Sequence, residues 1–157
     1  NPGDTLVMTN VSFATANDLL CHENFLPMVE EYAQESATRD MPKPNFAKEM
    51  YIGMESMGIL KCIQAVDGEK LIGFMVLIAT VIPHYSKVAV TTESLFVAKQ
   101  YRKTGAGLRM IRMAEDFGRS IGAAGIFLSA PEGGKLADVA PRIGYEHASN
   151  VFFKGLM

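Results

Sequence analysis

Cys21 and Cys62 are the only thiols in the sequence, too few for a disulfide-stapled secreted scaffold; they read as small apolar side chains in a reducing cytoplasm. No apolar run reaches the roughly 18 residues that a membrane-spanning helix needs. The opening "NPGDTLVMTN" also lacks a basic start followed by an apolar core, so neither an anchor nor a leader is expected. Positive charge is not in excess: 15 Lys and Arg against 17 Asp and Glu give a net charge of −2, which argues against holding nucleic acid through an overall positive field. His22, His84 and His147 are dispersed, and the two cysteines do not stand at ligand spacing, so no metal is expected. Neither Cys62 nor Ser129 has a base partner that the sequence makes recognisable, which leaves nucleophilic catalysis without support.

What is present is apolar content, 48% of the chain, enough for one domain with a sizeable core. Patterned sequence starts near "VSFATA", so residues 1–8 read as an upstream extension and residues 9–157 as the single domain. "VSFATA" alternates as a short strand, and Asn17 or Asp18 then caps a helix. In "FLPMVEEYAQES", Phe25, Met28, Val29 and Tyr32 fall at helical spacing. A proline-punctuated loop, residues 39–45, precedes a second helix, "FAKEMYIGMESMG". From Ile59 to Val97 β-branched and aromatic residues dominate, with Asp67-Gly68 as a hairpin turn and "IPHYSK" as a second reversal, which predicts three antiparallel strands. The remainder reads as a helix over residues 105–122, a strand "GIFLSA", a short helix "GGKLADVA", and two last strands around "YEHA" and "VFFKGL". Helices and strands are thus mixed over one mostly antiparallel sheet, an α/β (α+β) fold.

The most informative stretch is "SLFVAKQYRKTGAGLRMIRMAEDFG", residues 94–118. A strand stops at the basic, glycine-containing turn "RKTGAG" and a helix starts at once, leaving its first amides without partners. Glycine at 105 and 107 opens dihedrals closed to other residues and lets a ligand approach the backbone. The helix dipole with Lys99, Arg102 and Lys103 supplies positive potential, so a phosphate is the natural guest. A dinucleotide fingerprint would need glycine at 110, where Met110 stands, and no Gly-Lys-Ser/Thr closes the turn as a triphosphate loop requires.

The run from "ESLFV" through "AKQYRKTGAG", the long amphipathic helix, "GIFLSA" and "RIGYEHASNVFFKGL" resembles the second half of a GCN5-related N-acetyltransferase. The upstream helices and the "VDGEKLIGFMVL" hairpin extend the resemblance to residues 10–156. It implies a central sheet of about six to seven strands flanked by helices and splayed between strands 4 and 5. It also implies acetyl-coenzyme A as the acetyl donor, with Leu95, Phe96 and Val97 along its pantetheine arm. Arg102, Lys103, Thr104, Gly105, Ala106, Gly107 and Leu108 would surround its pyrophosphate. The partner is then an amine-bearing small molecule or protein, with neither nucleic acid nor membrane expected, and the family also makes a homodimer plausible.

Transfer to an amine requires the acceptor to lose a proton before or during attack on the thioester. Glu93 stands where relatives place an acidic base, and simple alternation puts it on one face with Leu95 and Val97. Glu30 and Glu31 on the first long helix, and Tyr85 on the "IPHYSK" reversal, are the candidate acceptor contacts. The tyrosine that often protonates the coenzyme thiolate is missing: its usual positions hold Ala140 and Phe152 or Phe153. Two readings follow, an N-acetyltransferase working in a ternary complex, or a coenzyme-binding or interaction module with weak or no turnover. A third, a nucleic-acid binder using Lys99, Arg102, Lys103, Arg109 and Arg112, has the overall charge against it.

Overall fold

The computed structural model describes residues 8–36 and 41–157. Its elements are β1 (Thr9–Ala14), α1 (Ala16–Leu20), α2 (Phe25–Ser36), α3 (Lys48–Ser56), β2 (Leu60–Asp67) and β3 (Lys70–Ile82), then β4 (Lys87–Val97), α4 (Ala106–Ser120), β5 (Gly125–Phe127) and α5 (Lys135–Val139). Short 3-10 turns lie at Pro83–Tyr85, Lys99–Tyr101 and Ala140–Ile143. One mixed sheet has the order β1-β2-β3-β4-β5; its first three pairings are antiparallel and β4 to β5 is parallel. Most of the expected upstream extension, and part of the expected 39–45 loop, lie outside the described residues.

Alternation along β2 and β3 separates two apolar layers. Leu60, Cys62, Leu71, Phe74 and Val76 pack with Phe25, Met28 and Tyr51 of α2 and α3. Ile63, Ala65, Ile72, Met75 and Leu77 pack instead with Met110, Ile111 and Ala114 of α4. This is the two-sided burial expected of a central strand, and seven consecutive residues of β3, Leu71–Leu77, are buried.

Local chemistry moves several boundaries. Helix α1 is capped by Thr15, whose Oγ1 accepts from the Asp18 amide at 3.0 Å, not by Asn17 or Asp18. The helix therefore starts at Ala16, which is fully buried. The β2–β3 turn is centred on Gly68-Glu69, one residue later than expected, because Asp67 still pairs with Lys70. Only the first central residue has positive φ, 61° at Gly68.

The sheet has five strands among the described residues, not six or seven. "GIFLSA" is a strand only over Gly125–Phe127, since beyond it the Ser129 amide donates to the Thr92 side chain, Oγ1, at 2.9 Å. The strands expected around "YEHA" and "VFFKGL" are absent: Gly144 turns the chain at φ 96°, and no regular element follows it. Strand propensity becomes structure only against a partner, and a three-residue β5 offers almost no edge to pair with.

Candidate active site at the open edge of β4

Strand β5 pairs only with Ala89–Thr91. From Glu93 onward β4 keeps β3 on one side and has no strand on the other, so the two strands part there as expected. Register with β3 also changes at this point: Val76 pairs with Ser94 and Leu77 with Thr92, leaving Glu93 as an extra residue. This is a β-bulge, which re-aims side chains and shifts the alternation by one.

The bulge corrects the expected placement of Glu93. Leu95 and Val97 pack on the α4 layer, whereas Glu93 turns to Tyr51 of α3, in the layer that also holds Phe96. There the Tyr51 hydroxyl donates to Glu93 Oε1 at 2.8 Å. Burial, and then this bond to a carboxylate, push the Tyr51 phenol well above its ordinary range. Burial and the Glu93 charge raise Tyr32 as well. Glu93 itself is exposed at its outer side, so one carboxylate oxygen is held and the group still faces solvent.

Beyond Val97 the turn is held by its own side chains. Tyr101 donates to Asp67 Oδ2 at 3.0 Å, and Thr104 Oγ1 donates to the Tyr101 carbonyl at 2.6 Å and lies 3.4 Å from the Ala106 amide. Gly105 opens α4 with φ 82°, where a Cβ would be strained although no atom stands in its way. The N-cap Gly105 offers α4 no side-chain cap, the Ala106 amide donates to Thr104 Oγ1, and Gly107 and Leu108 follow at the mouth. Lys103, Gly105 and Leu108 are exposed, Thr104 and Gly107 half-buried and Ala106 buried.

Arg102 lies across this edge. Its Nε donates to the Val97 carbonyl at 2.9 Å, its Nη2 meets Glu35 Oε2 at 2.5 Å, and its guanidinium sits 5.4 Å from the Phe96 ring centroid. One turn earlier on α2, Glu31 Oε1 accepts from the Lys99 amide at 3.1 Å. Glu31 and Glu35 therefore bind the loop after β4. Glu30 is exposed, and Tyr85 stacks on His84 (4.0 Å between centroids) at the opposite end of β4 from Val97. The structure thus brings the glycine-containing turn and Glu93 to one edge of β4, and leaves Glu30 and Tyr85 away from it. Tyr51 and Ser94 carry no signal in the sequence beyond an aromatic within a helical segment and a serine in a strand, and Glu35, which with Glu30 and Glu31 is expected to favour a cationic acceptor, meets Arg102 instead.

A family model described as "Acetyltransferase (GNAT) family" matches residues 26–137. The chain belongs to the GNAT acetyltransferase family. Solved structures with this fold include a ribosomal-protein-alanine N-acetyltransferase from Brucella melitensis biovar Abortus 2308, 16% identical at TM-score 0.71 with 94% of this chain and 98% of that one covered. A Trypanosoma brucei acetyltransferase is 15% identical at TM-score 0.72, covering 95% and 100%. Glucosamine-6-phosphate N-acetyltransferase from Arabidopsis thaliana is 13% identical at TM-score 0.74, covering 96% and 99%. Among curated proteins none matches the chain by sequence. At such identities the likeness of this GNAT to solved structures is one of fold. Among its described residues no group of three or more His, Cys, Asp and Glu has the arrangement to hold a metal ion, and no helix is long and apolar enough to cross a membrane.

Proposed function

We propose that the protein transfers an acetyl group from acetyl-coenzyme A to a primary amine by direct attack in a ternary complex. The observation that carries this reading is one continuous edge: β4 from Glu93 to Val97 with no strand on its outer side, where only the Val97 carbonyl is taken, by Arg102 Nε, and then the start of α4, whose N-cap glycine offers no side-chain cap. The pantetheine arm would pair along Leu95–Val97, and the amides from Gly105 to Leu108 would take the pyrophosphate, with Arg102 and Lys103 adding charge. Acetyl-coenzyme A supplies an acyl carbon already activated by a thiol leaving group.

On this chain's side, Glu93 receives the amine proton as nitrogen attacks. Tyr51 holds one of its oxygens and leaves the other to face the acceptor. We propose a cytoplasmic protein whose acceptor is a small molecule or an exposed protein amine, with no role for nucleic acid or membrane and with homodimerisation compatible with the fold. A coenzyme-binding module with little turnover is the second reading, favoured by Ala140, Phe152 and Phe153 at the usual tyrosine positions.

The test is release of free coenzyme A across a panel of amines, beside calorimetry with acetyl-coenzyme A. Glu93→Gln should lower kcat about a hundredfold near neutral pH, and less at high pH where the amine deprotonates itself, with cofactor affinity unchanged. An equal rate in the variant removes Glu93 as base. Binding without turnover in the wild type selects the module, and no binding at all rejects both.

A further inference from the structure

The hydroxyl of Ser94 is buried, at 5% exposure, and has no hydrogen-bond partner. A buried donor left unpaired costs about 1–3 kcal/mol, so a hydroxyl kept in that state at a ligand edge points to a partner that arrives with the ligand. The bulge sets Ser94 next to Glu93, and Ser94 shares a face with Phe96 two residues on, in the α1–α3 layer. It also stands three residues past Thr91, the last β4 residue that pairs with β5. Base and orphan hydroxyl thus occupy adjacent positions where β4 and β5 part.

Resting on the acetyltransferase reading, we propose that Ser94 is a catalytic residue whose hydroxyl contacts the coenzyme sulfur and, with Glu93, carries the amine proton to the leaving thiolate. The nitrogen lone pair forms the C–N bond as the C–S electron pair returns to sulfur. One amine proton passes to the free oxygen of the Glu93 carboxylate. Ser94 gives its own proton to sulfur and takes the one held by Glu93. The products are the amide and coenzyme A thiol, both side chains return to their starting forms, and no net proton is released. This relay replaces the tyrosine that Ala140, Phe152 and Phe153 do not provide.

The test does not depend on the acceptor. The titratable and charged groups facing this spot are Glu93 on β4, Tyr51 and Glu55 on α3, Tyr32 on α2, Cys62 on β2, and Arg102 over Phe96. Comparing wild type with Ser94→Ala holds all of them constant. With coenzyme A bound to the full chain and its thiolate followed by ultraviolet absorbance, the titration midpoint should lie about one pH unit lower in the wild type than in the variant. Preference for coenzyme A over desulfo-coenzyme A should likewise vanish in Ser94→Ala. With an amine that turns over, kcat should fall about tenfold or more at constant KM for acetyl-coenzyme A, and Ser94→Thr should recover part of it. Removing an unpaired hydroxyl leaves Tm unchanged or raised. Identical midpoints and identical desulfo discrimination in both proteins overturn the Ser94 contact while leaving the acetyltransferase reading intact. Failure of the wild type to bind coenzyme A overturns that reading, and the contact with it.

Discussion

At Cys62 burial and two carboxylates act in one direction. Desolvation, followed by the charges of Glu55 and Glu93, pushes its thiol up to about 12, while Cys21 is exposed. Ellman's reagent at pH about 8 should therefore count one thiol in the folded protein and two in urea, because reaction requires a reachable thiolate. Two fast-reacting thiols in the native state would contradict the packing of β2 against α3. At this scale the sequence reading had the correct residue types and erred on direction. Glu93 was legible as an acid near the end of a strand, but its face was not, since a one-residue bulge leaves no mark in an alternation read without the partner strand. Ser94 looked like any strand serine; only its missing partner distinguishes it.

Between elements, Gly73 and the α2 carboxylates carry the most weight. A Cβ at Gly73 would lie 2.9 Å from the Phe96 carbonyl oxygen and 3.3 Å from both Met110 and Val97 side chains. The backbone oxygen cannot swing aside, so Gly73→Ala should cost about 1–3 kcal/mol, read as a lower urea midpoint at constant m-value. The Glu35–Arg102 pair is different: both side chains are more than a third exposed, so Glu35→Gln should change stability by less than about 1 kcal/mol. Its effect belongs to binding. If Arg102 takes the pyrophosphate as proposed, making Glu35 neutral removes its competitor, and coenzyme A should bind more tightly at low salt by calorimetry, the gain shrinking as salt rises. The helical spacing of Phe25, Met28, Val29 and Tyr32 is kept in α2, Phe25–Ser36, but the break that separates it from α1, Ala16–Leu20, was not legible. That Glu31 and Glu35 of α2 reach the loop after β4 was not legible either, because the contacts span 68 and 67 residues of sequence.

For the whole molecule, alkaline pH is the sensitive side. Cys62, Tyr32, Tyr51 and Tyr145 all hold their protons more tightly folded than unfolded; burial comes first in each, and Tyr145 also donates to Glu115. Their contribution to stability is complete below the ordinary values of 9.0 for the thiol and 10.0 for the phenols. It is lost as pH rises through the folded values, which for Cys62 means between 9.0 and about 12. Tm should fall steeply over that window, and a flat profile would show that these groups are already solvated in the native state. The sheet was legible through β4 because hairpins are local; its far side was not. Whether residues after 127 pair depends on how long β5 is, and no residue in "VFFKGL" reports that.

The bulge at Glu93 also bears on chain length. Thr92 pairs with Leu77 and Ser94 with Val76, so deleting Glu93 would close the gap and leave Leu95, Phe96 and Val97 on their present faces. Elsewhere in β4 a one-residue deletion would invert every side chain that follows. The sheet here carries one removable residue, and that residue is the proposed base. A protein shortened by this single position should fold, bind coenzyme A and lose turnover, separating in one variant the part of β4 that builds the domain from the part proposed to do its chemistry.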